Sequence, residues 1–359
     1  MRLLDRYLVR QVLWFTVLVM AVLVTLAALF QFIQQQDDIG VGSYGMLDAL
    51  FVTLLMLPQQ AFQLLPIAAL IGALLGLGNL ARGSELVVMR AAGVSVIRVT
   101  LAAAAAGLVL LVGGGILGEV LAPPLEAYAN QVKALGKYNN FSYAGHAGIW
   151  VKDGNRILSI QEQAADSVYG GIYVYVLEAA ADGRQHLAAL ARADRAELVR
   201  GQTWRLHGYA SSILGADGVT TRQLASNEVE SGINPEFLGA ASVDPASLPV
   251  LSLYRYVGHL RANGLESRAW EVALWSRIAR SLSTVLLCML AVPFVFGPLR
   301  STGAGARTVV GIVVGVVYFL INRTLENSGG VYGLDPLLIA WGPIALLAVA
   351  TAVAVARVR

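Results

Sequence analysis

Three arginines lie where long apolar segments of the sequence begin or end. Arg277 and Arg280 come at the start of one segment, and Arg323 comes at the end of the next, three residues before Glu326. A guanidinium group can hold two phosphate oxygens at once, so these residues are candidates for binding the phosphates of an amphiphile. Alternatively, the arginines lie among lipid headgroups and Arg323 pairs with Glu326. The residues alone leave both interpretations open.

The sequence contains no recognisable catalytic or metal-binding motif. It has neither a GxxxxGKS/T phosphate loop nor an HExxH zinc motif. Its histidines are scattered, without cysteines or carboxylates at the spacing of a metal site; they are His146, His186, His207 and His259. We therefore predict no catalytic residue, no metal site and no cofactor in this chain, and we place the histidines on strand faces or at the surface.

The composition is that of a polytopic membrane protein. Hydrophobic residues make up 57% of the chain, charged residues make up 14%, and the mean hydropathy is +0.64. A helix needs about 20 apolar residues to cross the hydrocarbon core of a bilayer, with some variation. We predict six spans, at about 12–33, 49–80, 99–121, 272–296, 308–325 and 337–356.

A polar insert separates the first three spans from the last three. We divide the chain into an N-terminal membrane half (1–122), the insert (123–268) and a C-terminal membrane half (269–359). Runs of β-branched and aromatic residues in the insert alternate with Asp-Gly pairs, which favour tight hairpins, at 153–154, 182–183 and 217–218. The insert is predicted to be an all-β domain of the sandwich or open-barrel type.

The third span is expected to end at the rigid pair Pro123 and Pro124. Beyond them, residues 125–138 are predicted to form a helical stalk with Lys133 and Lys137 four residues apart on one face. The sequence thus predicts that the span ends at the prolines and that the chain continues beyond them as a helical stalk.

The distribution of basic residues predicts the orientation. Arginines flank the ends of the spans that would share one side of the membrane; they are Arg2, Arg6, Arg10, Arg82, Arg90, Arg98, Arg300, Arg307, Arg357 and Arg359. The short loops of the other side carry Asp37, Asp38, Glu326 and Asp335. Because cytoplasmic loops are enriched in Lys and Arg, we predict cytoplasmic termini and, in a bacterial inner membrane, a periplasmic insert.

The loop between the second and third spans is predicted to form a short cytoplasmic helix at about 83–93. Ser84 could cap its N-terminus, Glu85 would lie in its first turn, and Gly93 lies where the helix would end. Its apolar surface would comprise Leu86, Val87 and Met89. Such a helix could rest on lipid headgroups or be the contact site of another protein, and both alternatives stay open.

Pairs of glycines four residues apart occur in three of the predicted spans: Gly72 and Gly76, Gly114 and Gly118, and Gly311 and Gly315. Small residues at this spacing let two helix backbones approach closely. We expect the pairs to pack within this chain rather than against a second subunit.

Five features, taken together with the layout of three spans, insert and three spans, resemble one known family. They are Asp5–Tyr7 (DRY), Gly148–Gly154 (GIWVKDG), Phe294–Ser301 (FVFGPLRS), Val331–Pro336 (VYGLDP) and the predicted cytoplasmic helix that contains Glu85. The chain resembles, over essentially its whole length, the LptF/LptG permeases of the bacterial lipopolysaccharide export ABC transporter, and within that family the LptG branch. The resemblance implies an α-helical polytopic membrane protein with six transmembrane helices and an inserted periplasmic all-β jellyroll-like domain.

The resemblance also implies the partners. The chain would pair with an LptF-type permease above a dimer of the LptB ATPase, which would bind ATP and Mg, and the single-span protein LptC would join at the first span. The pair would extract lipopolysaccharide from the outer leaflet of the inner membrane through a cavity walled by the first and fifth spans of both permeases. The jellyroll would pass the lipid on to LptC and LptA. This chain itself would be neither an enzyme nor a nucleic-acid-binding protein.

The resemblance assigns roles to individual residues. The cytoplasmic helix corresponds to the family's coupling helix, with Glu85 as the partner of a basic residue of the ATPase, and its other coupling positions are Leu86, Val87, Met89 and Arg90. Lys133 and Lys137 match a basic pair at the base of the jellyroll. The lysines that family members carry near the outer end of the first span are replaced here by Gln34–Asp38, so the candidates to supply that charge are Arg277, Arg280 and Arg323.

Two other function classes remain as alternatives. A mechanotransmission permease would act on periplasmic partners without carrying lipid, but such proteins usually have four spans and no proline-kinked second helix like the one predicted from Pro58 and Pro66. A non-transport scaffold for envelope assembly would have no ATPase partner. Co-purification with an ATPase and crosslinking to lipid distinguish these classes.

Overall fold

Nine α-helices and six strands are present in the residues that the computed structural model describes, which are 3–138, 149–165, 168–179, 185–200, 203–215, 218–230, 245–296, 303–332 and 334–358. The helices are α1 (Leu3–Gln34), α2 (Met46–Arg82), α3 (Glu85–Ala91), α4 (Val96–Ile116), α5 (Ala122–Tyr138), α6 (Val250–Ala262), α7 (Arg268–Phe296), α8 (Ala304–Tyr332) and α9 (Pro336–Arg357). Six of them are long and apolar enough to span a membrane: α1, α2, α4 with its continuation, α7, α8 and α9. The predicted set of six spanning helices is confirmed.

Helix α2 is the centre of the helical part. In its most apolar stretch 67% of the residues are buried, more than in any other of the six spanning helices. Helix α1 crosses it at Gly72 and Gly76. A Cβ atom at Gly72 would lie 2.5 Å from the Cα atom of Thr16, and one at Gly76 would lie 3.0 Å from the carbonyl oxygen of Gln11. The two backbones can approach this closely only because these residues have no side chain.

The other two glycine pairs also face α2. They are Gly114 and Gly118, which lie on α4 and the turn that follows it, and Gly311 and Gly315 on α8. The α2 side chains that fill the space above these four glycines are, in the same order, Leu65, Phe62, Ile71 and Ile67. The predicted packing of the glycine pairs within one chain is therefore confirmed, and α2 is the common partner in all three cases.

Helices α1 and α8 keep most of their surface outside the bundle. Only 17% of the residues in the most apolar stretch of α1 are buried, and only 11% of those in α8. The exposed side chains are large and apolar, as at Trp14 and Phe30 on α1 and Val313 and Val317 on α8. In a membrane these faces contact lipid or another subunit, because the described residues of this chain cover neither surface.

The expected break of the third span at Pro123 and Pro124 is wrong. A π-helical turn at Leu117–Leu121 joins α4 directly to α5, and the helix runs on to Tyr138. The π-turn places both prolines in the first turn of the segment that follows, where a missing N–H group costs little. The span and the stalk are thus one connected rod. Helix α2 likewise continues through its two internal prolines.

The insert contains one antiparallel sheet. Its strands are β1 (Ile149–Asp153), β2 (Arg156–Ala165), β3 (Val168–Ala179), β4 (Gln185–Arg200), β5 (Thr203–Gly215) and β6 (Gly218–Glu230). Strands that follow one another in the sequence are neighbours in the sheet, in the order β1 to β6. The predicted all-β insert between two helical halves is confirmed.

The hairpins depart in detail from the Asp-Gly prediction. At the first one, Asp153 pairs with Arg156, so Gly154 and Asn155 form the two-residue loop and Asp153 is the last residue of β1. Gly154 has a φ of +59°, a conformation that glycine adopts without strain. At the last hairpin Gly215 pairs with Gly218. Asp182, Gly183 and Asp217 lie outside the described residues.

We predict that Gly72→Ala destabilises the protein by about 1 to 3 kcal/mol, because its methyl group would force α1 away from α2. The matched control is Gly113→Ala on α4, where a Cβ atom would meet nothing within 4 Å and helix propensity favours alanine. Unfolding of the purified chain in micelles measures both free energies. Equal stability of the two variants would contradict the account of the helix crossing.

Candidate functional site

The sheet encloses an apolar cavity on one of its faces. Successive side chains of a strand point to opposite faces, so alternate residues of β2 to β6 line the same cavity. Its volume is about 360 Å³, and its apolar lining includes Leu158, Ile160, Ile172, Val174, Trp204, Leu206, Tyr209 and Val229. On the opposite face Tyr175 stacks on Trp150, with 5.7 Å between ring centroids. The cavity has the shape and chemistry to hold aliphatic chains.

The stalk helix α5 carries Lys133 next to the loop between α1 and α2. Lys133 forms a salt bridge with Asp38, with 2.6 Å between Nζ and Oδ2, and its side chain is 31% exposed. The carboxylate therefore comes from Gln34–Asp38, the segment in which the resemblance leads one to expect lysines. The side chain of Lys137 lies outside the described residues. Any anion that approaches Lys133 must compete with Asp38.

The same loop is fastened to the stalk by two further contacts. The backbone amide of Ser43 donates to the carbonyl oxygen of Gly136 over 2.7 Å. Tyr44 is buried beside Gly136 and donates its hydroxyl to Oε1 of Gln35 over 3.0 Å. Burial, assisted by the nearby Asp38, raises the pKa of Tyr44 and keeps its hydroxyl protonated. The stalk is therefore held against the C-terminal end of α1.

Arg277 of α7 is part of an internal ion pair. Its side chain is 5% exposed, its Nε donates to Oε1 of Glu119 in the π-turn, and its Nη2 donates to the carbonyl oxygen of Gly118 over 2.6 Å. The guanidinium also lies over the ring of Phe62, 4.9 Å from its centroid. The expectation that Arg277 is available to a substrate phosphate is therefore wrong, because its polar groups already have partners inside the chain.

Glu119 also caps a helix that is distant in the sequence. The backbone amide of Val250, the first residue of α6, donates to Oε2 of Glu119 over 2.6 Å. Pro249, which precedes α6, provides no side-chain cap, and a carboxylate is favourable at a helix N-terminus. Glu119 thus joins the third span, the fourth span and the segment that returns from the insert. It escaped prediction from the sequence, although a carboxylate inside an apolar span is a known signal.

Arg280 and Arg323 lie on either side of Glu326. Arg280 donates from Nη2 to both carboxylate oxygens of Glu326, over 2.8 and 3.0 Å. Arg323 reaches the same carboxylate only at 4.0 Å, and its side chain is 52% exposed. The predicted pairing of Arg323 with Glu326 is present, but Arg280 is the nearer partner. Of the three predicted arginines, Arg323 is the most accessible.

The short helix α3 has a different anchor from the predicted one. Ser84 has a φ of +63° and makes no capping hydrogen bond. Glu85 instead accepts a hydrogen bond from the hydroxyl of Tyr7 over 2.9 Å, which links α3 to α1. Gly93 has a φ of +88° where the chain leaves the helix, as predicted. The hydrogen bond from Tyr7 thus fixes the position of Glu85, the single carboxylate of the helix.

The exposed surface of α3 also differs from the predicted one. Leu86 is buried in the helical core and anchors α3, so its prediction as a surface residue is wrong. Val87 is exposed, and so is Val88, which the prediction missed. Met89 packs partly against the core, and the guanidinium of Arg90 lies 5.7 Å from the ring centroid of Phe296. The surface available to a partner therefore centres on Glu85, Val87 and Val88.

The predicted histidines do not assemble into a site within the described residues. No group of three or more His, Cys, Asp or Glu side chains in that part of the chain could hold a metal ion. The imidazole Nε2 of His207 lies 3.8 Å from a carboxylate oxygen of Glu197 on the neighbouring strand. His146 lies outside the described residues.

Comparisons with known proteins identify relatives over nearly the whole chain. The family described as lipopolysaccharide export system permease LptF/LptG matches residues 6–357. The lipopolysaccharide export system permease protein LptG of Haemophilus influenzae is 33% identical over 347 residues, 96% of this chain and 96% of that protein. The protein of the same name from Escherichia coli K12 is 33% identical over 347 residues, 95% of this chain and 94% of that protein.

We predict that Glu119→Gln lowers the free energy of unfolding by about 3 kcal/mol, because it leaves the buried charge of Arg277 without its carboxylate. Adding Arg277→Met in a double variant should recover a large part of this loss, since no charge then remains buried. The measurement is unfolding of the purified chain in micelles.

A matched control is Glu228→Gln, which breaks the exposed pair of Arg205 and Glu228 in the sheet. Its expected cost is below about 1 kcal/mol. A loss of the same size in Glu119→Gln and Glu228→Gln would show that the Glu119 pair is no more important than a surface pair.

Proposed function

This chain belongs to the LptF/LptG family and is a permease subunit of the lipopolysaccharide transporter; we propose that it extracts lipopolysaccharide from the outer leaflet of the inner membrane and passes it outward along its sheet. With six apolar helices it is a multi-pass inner-membrane protein. In this proposal the chain supplies the path for the lipid and a partner supplies the energy.

The proposed assembly contains four further proteins. An LptF-type permease forms a heterodimer with this chain, a dimer of the LptB ATPase binds ATP and Mg beneath them, LptC joins at α1, and LptA receives the lipid. This chain holds no cofactor and carries out no catalysis. What supports the division of labour is the absence of a phosphate-loop motif from its sequence.

The proposed orientation places both termini and α3 in the cytoplasm and the sheet in the periplasm. Arg82, Arg90 and Arg98 surround α3, whereas the loop at the opposite end of α1 carries Asp37 and Asp38. This distribution follows the enrichment of basic residues on the cytoplasmic side. The stalk then carries the sheet away from the outer surface of the membrane.

The observation that carries the proposal is that apolar surfaces lie at both ends of the stalk, in the membrane part and in the sheet. Inside the membrane, α1 and α8 expose apolar faces that the residues described in the structure leave uncovered. Outside the membrane, the sheet offers an apolar cavity of about 360 Å³. The faces of α1 and α8 would form one wall of a lipid cavity shared with the partner permease, and the sheet would take up the acyl chains next.

The energetics require both parts. Moving a CH₂ group from hydrocarbon into water costs roughly 0.8 kcal/mol, so a lipid with several acyl chains cannot leave the bilayer in a single passive step. A continuous apolar surface lowers this cost by keeping the chains out of water. ATP hydrolysis on the partner would provide the remainder, transmitted through α3 and its Glu85.

We predict that lipopolysaccharide contacts the face of the sheet that carries the apolar cavity. A photoreactive phenylalanine analogue in place of Tyr209, which lines the cavity, should crosslink to lipopolysaccharide when the complex is supplied with ATP. The matched control is the same substitution at Tyr175, which lies on the opposite face and stacks on Trp150. Equal crosslinking at the two positions would contradict a path through the cavity.

We predict that Glu85→Gln lowers ATP-driven lipopolysaccharide release from proteoliposomes by about fivefold or more, a typical size for the coupling between two sites. The reason is that the charge presented to the ATPase is lost while Leu86 still anchors the helix. Co-purification of the ATPase and the rate of hydrolysis show whether assembly or coupling fails.

The control for this variant is Glu266→Gln, in the exposed turn between α6 and α7 at the other end of the molecule. It should assemble, hydrolyse ATP and release lipid like the wild type. If Glu85→Gln also behaves like the wild type in all three assays, Glu85 is not the coupling residue.

A further inference from the structure

A small polar pocket lies between the outer ends of α7 and α8. Its volume is about 170 Å³, and one wall is the 3₁₀ turn Pro245–Ser247 that leads from the insert back to the membrane half. The polar residues that line it are Ser276, Arg277, Arg280, Arg323, Glu326 and Asn327. The pocket therefore brings together three arginines and one glutamate from two helices.

The pocket carries more positive than negative charge. Arg277 is compensated by Glu119, as described above. The remaining carboxylate, Glu326, faces both Arg280 at 2.8 Å and Arg323 at 4.0 Å. One carboxylate thus faces two guanidinium groups and neutralises only one positive charge. The side chain of Arg323 is exposed and lies at the limit of ion-pair distance. The excess of positive charge favours an anion in this pocket.

Ser276 provides an independent sign of a ligand. Its side chain is 6% exposed, and its hydroxyl oxygen is buried without a hydrogen-bond partner among the described residues. Serines in helices usually donate to the carbonyl of the preceding turn, as Ser281 does to Arg277 and Ser283 to Arg280. Ser276 is on the same helix and makes no such bond. A buried hydroxyl left unpaired costs free energy, which a ligand in the pocket would recover.

The position of the pocket limits the ligand to groups at the membrane surface. Arg280 and Arg323 lie at the ends of spans, at the level where lipid headgroups meet water. Planar guanidinium groups match the oxygens of a phosphate better than a single ammonium group does. The chemistry that fits is the phosphate group of a lipid.

We propose that Arg323, Arg280 and Ser276 form a binding site for a lipid phosphate, with Glu326 holding Arg280 in place while the site is empty. Arg323 donates to the phosphate from its exposed guanidinium, and Ser276 donates from its hydroxyl. Arg280 exchanges one of its hydrogen bonds to Glu326 for a hydrogen bond to the phosphate. This inference rests on the proposed function, in which lipopolysaccharide supplies the phosphate. An outer-leaflet phospholipid is the other source of the same group.

The test measures lipid binding to the full-length chain, in complex with its partner permease and the ATPase in micelles, by native mass spectrometry. The probes are phosphorylated lipopolysaccharide, the same lipid with its phosphates removed, and phosphatidylglycerol. Arg323→Gln should weaken binding of the phosphorylated lipopolysaccharide by about tenfold or more, as expected for the loss of a charge-assisted hydrogen bond. Ser276→Ala should weaken it severalfold, and neither variant should change binding of the phosphate-free form.

The matched control is Arg268→Gln, which removes an exposed arginine of α7 that does not line the pocket. It should bind all three probes like the wild type. Unfolding temperatures of the variants show whether each one is folded, and Arg323 is exposed enough for its variant to fold normally.

The outcomes separate the site from the proposed function. If the wild type binds lipopolysaccharide and both variants bind it equally well, the site is wrong and the proposed function stands. Weaker binding of the phosphate-free form by the variants would also overturn the site, since phosphate would not be what they recognise. If only phosphatidylglycerol binding falls, the phosphate site is supported and its ligand is a phospholipid. No binding of either lipopolysaccharide by the wild type would contradict the proposed function itself.

Discussion

The close approach of three helices to α2 is the constraint on which the rest of the structure depends. Glycine pairs on α2, α4 and α8 bring backbones or side chains of neighbouring helices into contact at distances that a Cβ atom would prevent. Because α2 occupies the centre, α1 and α8 each pack against it with one face only, and no described part of the chain covers most of their remaining surface. In a water-soluble protein such surfaces would cause aggregation. In a membrane they can contact lipid or another subunit.

Polar contacts connect this bundle to the sheet. Glu119 binds Arg277 of α7 and the first amide of α6, while Asp38 binds Lys133 of the stalk. These carboxylates lie where the chain leaves the helical part and where it returns, so the two segments that lead to and from the insert are both held against the bundle. In the proposed function, the apolar faces of the spans and the apolar cavity of the sheet bind the same lipid in succession. At the opposite end, Tyr7 and Leu86 hold α3, which is the part proposed to receive the force of ATP hydrolysis.

The sequence was informative wherever the signal is local. Hydropathy located the six spans, β-branched runs located the sheet, and glycine spacing predicted close packing within the chain. It was misleading where a distant residue decides the outcome. Arg277 looked free because Glu119 is 158 positions away, and Ser84 looked like a cap although Tyr7, 78 positions before Glu85, holds the helix. Leu86 looked exposed because a helix of seven residues does not reveal which face meets the core. The prolines after α4 did not end the helix, since the preceding π-turn has no distinct sequence pattern.

The most direct test of the account is to locate lipopolysaccharide inside the membrane by crosslinking. Photoreactive residues replace Val317 on α8 in one variant and Leu346 on α9 in another. Both positions are apolar and exposed in this chain. In proteoliposomes with the partner permease and the ATPase, we expect crosslinks to lipopolysaccharide at Val317 that decrease when ATP is added, and few at Leu346. Equal crosslinking at both positions, unaffected by ATP, would mean that α8 faces ordinary lipid and that this chain does not wall an extraction cavity.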